Sequence, residues 1–129
     1  MPGHELALEM IAAAKSDLKA LKHMLDPDAF DDRVFGFHAQ QAIEKALKAW
    51  LNIVRQSHPF THDLSFLLHA LKEAGANVEP YWDFLDLSEY GVRFRYETLP
   101  QDEEPLERCQ LLRDVGELIG RVEGLLTRP

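Results

Sequence analysis

Apolar residues recur at alternating spacings of four and three through Ala7, Ile11, Ala14, Leu18, Leu21 and Leu25. That spacing lays one apolar stripe along a helix, the seam of a bundle. Lys15, Lys19 and Lys22 follow the same spacing on another face. Asp26-Pro27-Asp28 predicts the end of this helix, because proline disfavours helical geometry in the residue before it. A second helix is predicted from about Asp31 to Gln56, with Phe35, Ala39, Ala42, Ile43, Ala46, Leu47, Trp50 and Val54 on one broad face. His38, Gln41, Glu44, Lys45, Lys48 and Asn52 fall on the opposite face. So wide an apolar sector marks the central helix of the bundle, ended by Ser57-His58-Pro59.

The third predicted helix is short. Thr61 is its expected N-cap, Asp63 falls in the first turn, and Leu64, Leu67, Leu68 and Leu71 make the inner stripe. Gly75 suits the position just past the end. Pro80 opens a fourth helix with Tyr81, Phe84, Leu85 and Ser88 inward, continuing to about Tyr96 or breaking near Gly91. Glu97 to Glu107 holds five acids, no base and two prolines, and reads as an exposed loop. A last helix follows, striped by Leu112, Val115, Ile119, Val122 and Leu126. No alternating run asks for a strand. The expectation is one all-α domain over 1–129, an up-and-down bundle of four to five helices.

Composition agrees with a folded chain. Apolar residues are 46% and charged residues 28% of 129 positions, enough to fill a core. No apolar run approaches the ~18 residues a membrane helix needs. The first ten residues carry Glu5 and Glu9 without a basic start, unlike a signal peptide. The lone Cys109 can form neither an internal disulfide nor a cysteine zinc site, and reads as a small buried hydrophobe. These features predict a reduced, cytoplasmic protein. The net charge of −8 argues against broad binding to duplex nucleic acid but leaves room for a local basic site.

Such a site is visible in the second helix. Between Arg33 and Arg55 lie four basic residues and one acid, so the segment is positive inside an acidic protein. Gln41, Glu44, Lys45 and Lys48 gather on one side, where two lysines can hold a phosphate. The plainer reading is a solvated face with a Glu44–Lys48 pair worth only ~0.3–0.5 kcal/mol. His62-Asp63 offers a histidine beside a carboxylate for proton transfer or phosphate binding, or merely a helix start. Arg93 and Arg95 among Tyr90, Phe94 and Tyr96 suit phosphate clamping and base stacking, and equally an aromatic core edge. The six histidines show no metal spacing, and neither a metal nor a cofactor is expected.

The run Phe37-His38-Ala39-Gln40-Gln41-Ala42-Ile43-Glu44-Lys45-Ala46-Leu47-Lys48-Ala49 resembles the signature of the HEPN family. Thr61-His62-Asp63-Leu64 is similar to that family's short helix start, and Arg95-Tyr96, preceded by Tyr90 and Arg93, to its late Arg-Tyr element. The resemblance spans roughly residues 5–126. It implies a helical bundle, usually a homodimer, often paired with a minimal nucleotidyltransferase in a toxin–antitoxin or two-component system. It also implies that Gln41, Glu44, Lys45, Lys48, His62, Asp63, Arg93 and Tyr96 converge on one polar site, for a nucleotide or RNA or as a buried network. Other members are metal-independent RNases with an Arg-x(4–6)-His motif late in the bundle. Here neither Arg93 nor Arg95 is followed by a histidine at that spacing. Arg33 and His38 have the spacing but lie in the second helix, where five residues turn the chain by ~140°. The expectation is a non-catalytic nucleotide- or RNA-binding partner. The alternatives are an RNase toxin using Arg33 and His38, or Arg93 with His62 brought together in space, and a structural dimeric adaptor.

Overall fold

The computed structural model describes residues 2–87 and 105–127. These residues form helices α1 (Pro2–Lys22), α2 (Asp32–Arg55), α3 (Leu64–Glu73) and α4 (Arg108–Leu126), with a 3-10 helix at Glu79–Leu87 between the last two. Every regular element among the described residues is helical, as the periodicity predicts.

Helices α1 and α2 run antiparallel. Asp17 meets Lys45, Met10 meets Asn52, and Gly3 lies against the end of α2. At Gly3 the backbones touch: an added Cβ would stand 2.5 Å from the Asn52 carbonyl oxygen. Only a residue without a side chain permits that approach. Helix α4 is antiparallel to α1, with Lys15 bonded to Glu123 at one end and Arg108 to the Met24 carbonyl at the other.

Helix α2 is the central element. Asp31 caps its start by accepting from the Val34 amide, and Gln56 ends it in a left-handed conformation at φ 62°. From Ala46 to Asn52 seven successive residues are buried, so neighbours cover every side of the helix. The expected apolar face is buried, apart from Val54, which is 43% exposed. The expected polar face is largely buried too, because residues 57–63 double back along it. His58 sits beside Asn52, and His62 beside Glu44.

Other expectations need adjustment. Helix α1 stops at Lys22, before Asp26-Pro27, and the Met24, Asp26 and Phe30 carbonyls turn to the Arg108 guanidinium instead. The cap of α3 is Asp63, whose carboxylate accepts from Ser65 and Phe66 amides. Thr61 lies two residues earlier, its hydroxyl accepting from the Asp63 amide. Leu64, Leu67, Leu68 and Leu71 are buried as expected, and Gly75 follows α3 at φ 92°.

The segment after Pro80 is a 3-10 helix. Tyr81, Phe84 and Leu87 are its buried residues, and their spacing of three eclipses side chains only at three residues per turn. Cys109 is exposed rather than buried. Its neighbour Arg108 takes the inward direction, so the next residue, ~100° around the helix, faces out. Ser88, and the acidic run from Glu97 to Glu104, lie outside the described residues.

Candidate functional site

The polar side chains buried on α2 stand at a strict spacing of four: Gln40, Glu44, Lys48 and Asn52. Four residues advance a helix by just over one turn, so these side chains form a ladder. The returning segment 57–63 lies on that ladder and supplies two imidazoles.

Glu44 is the centre. Its carboxylate side chain is 6% exposed. Oε2 accepts from Lys48 Nζ at 3.0 Å, and both oxygens lie 3.0 Å from His62 Nδ1. A carboxylate only accepts, so Nδ1 of His62 carries a proton. Gln40 Nε2 lies 3.4 Å from Glu44 Oε1 and donates to the His62 carbonyl at 3.2 Å, which fixes the backbone that carries the ring. Gln41 is half-buried and donates to Gln40 Oε1 at 3.1 Å. Yet the His62 side chain is 80% exposed. A buried ion pair thus holds one edge of an imidazole whose other edge meets solvent.

The lower rungs bind the second imidazole. Asn52 Nδ2 is 2.8 Å from the Lys48 carbonyl oxygen and 2.8 Å from His58 Nδ1. Burial, the Lys48 charge beside it and, in the opposite sense, Glu44 act on His58, and the net effect lowers its pKa from the usual 6.5. Asn52 Oδ1 is buried without a partner among the described residues.

The expected site residues therefore divide. Glu44, Lys48 and His62 meet directly, and Gln41 joins through Gln40. Lys45 leaves this cluster: it bonds Asp17 of α1 at 2.7 Å, one residue around the helix from Glu44. The two lysines consequently serve different carboxylates. Asp63 caps α3. Arg93 and Tyr96 lie outside the described residues. Arg33 and His38 are half-buried in one continuous helix, ~140° apart around its axis, and the His38 ring meets Phe37 edge-on at 5.6 Å.

Sequence reasoning missed Gln40, Asn52 and His58 as members of the cluster. The four-residue spacing of Gln40, Glu44, Lys48 and Asn52 was the available signal. It also missed Arg108, which is 7% exposed, bonds the Met24 and Phe30 carbonyls and Asp32, and lies over the Phe35 ring at 5.1 Å. No local signal separates that arginine from its solvated neighbours.

The HEPN domain model matches residues 7–125, nearly the whole chain and all four α-helices. No curated protein and no solved structure gives a match. The matched span includes the Gln40–Asn52 ladder and the returning His62, and on that match the chain belongs to the HEPN domain family.

Proposed function

We propose that this protein is a non-catalytic HEPN module that binds a nucleotide or the phosphates of RNA and partners a separate minimal nucleotidyltransferase. The observation that carries the reading is the outward imidazole of His62, held at Nδ1 by the buried Glu44–Lys48 pair. Orienting a ring in this way costs little on ligand binding, because its position is already set. In the cationic form both ring nitrogens donate, one to Glu44 and one to a phosphate oxygen. The ammonium groups of Lys45 and Lys48 are occupied by Asp17 and Glu44, so they support the site rather than clamp the ligand. The separation of Arg33 from His38 around α2 supports a binding role over RNA cleavage. The reading takes the chain as one cytoplasmic domain that dimerises, as family membership suggests.

A thermal-shift titration with ATP, GTP and short RNA tests it, because a ligand that binds only the folded state raises the melting temperature. The expected result is a shift in the wild type that His62→Ala diminishes. No shift with any of these ligands at millimolar concentration would overturn the reading. Charge reversal at exposed positions that changes sedimentation but no ligand shift would favour a purely structural adaptor.

A further inference from the structure

Four large apolar side chains are strongly exposed among the described residues: Leu8, Val54, Phe60 and Phe66. Phe60 lies in the returning segment between its two histidines, and Phe66 just beyond it. Phe60 is fully exposed and its ring stands edge-on to His58 at 6.4 Å. Phe66 is 55% exposed, on the first turn of α3. A cleft of about 270 Å³ lies between this segment and α3. Leu51 and Ala70 are its buried floor, Pro59 and Phe66 are walls, and His58 and Arg55 supply polar edges.

The hydrogen-bonding character of His58 follows from its neighbour. The Lys48 carbonyl can only accept, so the Asn52 atom 2.8 Å from it is the amide nitrogen. The same nitrogen stands 2.8 Å from His58 Nδ1, which must therefore accept. Rotating the amide would set two oxygens against each other at Lys48. Asn52 keeps the present orientation although Oδ1 is left without a partner. A neutral imidazole that accepts at Nδ1 carries its proton on Nε2, and His58 is one of the residues that line the cleft. Arg55 adds a cation, and no carboxylate pairs with it among the described residues.

We propose that this cleft is the subsite for a nucleobase, with the ring stacked on Phe66, an acceptor edge on His58 Nε2–H and a second phosphate, distinct from the one at His62, on Arg55. The proposal rests on the nucleotide-binding reading above and assigns its base. Its volume lies just below the ~300–1,000 Å³ of sites that enclose drug-sized ligands, so it suits a flat ring with ribose and phosphate outside. An aromatic face gives stacking to any base, while the single donor favours bases that present an acceptor. The exposed ring of Phe60 extends the same surface toward a neighbouring nucleotide. Asn52 is a positioning residue that acts through the His58 tautomer.

The test is fluorescence anisotropy with a labelled six-nucleotide oligoadenylate, its abasic counterpart and competing AMP. The variants are Phe66→Ala, Phe66→Trp, Arg55→Gln and His62→Ala, each checked by circular dichroism. Phe66 and Arg55 are exposed, so their replacement leaves the core intact. Phe66→Ala should weaken the oligonucleotide by roughly five- to a hundredfold, the range of one lost base stack, and Phe66→Trp should restore it. The abasic oligonucleotide should bind both forms alike. AMP that competes, and loses as much affinity on Phe66→Ala, would assign the cleft to free nucleotide. AMP that fails to compete would assign it to RNA. Oligonucleotide binding that is indifferent to Phe66 but sensitive to His62 would overturn the cleft and leave the broader reading standing. No binding to wild type would overturn both. A Phe66→Ala change in sedimentation without a change in RNA affinity would make the cleft a protein interface and overturn the base assignment.

Discussion

Replacing Glu44 by glutamine tests whether the buried ladder is held by charge. Glutamine keeps the size of the side chain and an acceptor oxygen for Lys48. What it removes is the negative charge from a site where the carboxylate side chain is 6% and the lysine side chain 11% exposed. Breaking such a pair leaves an unpaired buried charge, at a typical cost of ~3–5 kcal/mol. The lower end applies, because the lysine stem can carry its ammonium toward water. About 3 kcal/mol lowers the melting temperature by roughly 12 °C in a domain of this size. The companion variant Glu44→Met/Lys48→Met removes both charges together. It should fall within ~1 kcal/mol of wild type, since apolar replacements of buried pairs are often neutral. Gln40 retains the His62 carbonyl and Gln41, and the exposed His62 ring can hydrate, so neither is orphaned. Urea melts of the wild type, Glu44→Met, Lys48→Met and the double variant give the coupling energy. Single losses below ~1 kcal/mol that add in the double variant would refute the account, because a real buried pair couples.

Acid should unfasten the returning segment at His58. Its folded pKa lies below the usual 6.5 through burial and the Lys48 charge, so the unfolded chain binds the proton more tightly. The contribution is full above 6.5 and is lost as pH falls through the lower folded value. Melting temperatures from pH 8 to 5 should fall more for wild type than for His58→Gln, and parallel curves would contradict this. Gly3→Ala should cost ~1–3 kcal/mol by driving a methyl group into the Asn52 carbonyl, as an overpacked contact does. A denaturant midpoint equal to wild type would mean that the first turn of α1 swings aside freely. Arg108→Met should cost ~3–5 kcal/mol in chemical denaturation, because it strands Asp32 and three carbonyls around a buried position. A loss under ~1 kcal/mol would show that water replaces the guanidinium.

The helices were legible in the chain because burial of one stripe repeats locally. Leu64, Leu67, Leu68 and Leu71 declare α3 without reference to anything distant, and Ala7, Ile11, Ala14 and Leu21 do the same for α1. Family membership was legible through the ordered polar identities of α2, which the match over residues 7–125 bears out. Periodicity also placed Glu44, Lys48 and Asn52 together on one face. It could not say that this face is covered. That depends on where the eight residues between α2 and α3 travel: left-handed Gln56 turns the chain, and Asp63 restarts it as helix. Lys45 and Lys48 look alike in the sequence, and tertiary structure sends one to Asp17 and the other to Glu44. Arg108 rather than Cys109 takes the buried position, because only the assembled bundle offers three carbonyls from another loop to a guanidinium. Helical periodicity is a short-range property, written in the spacing of neighbours. Partner choice for a charged side chain is long-range, and the sequence alone does not record which distant groups folding brings within 3 Å.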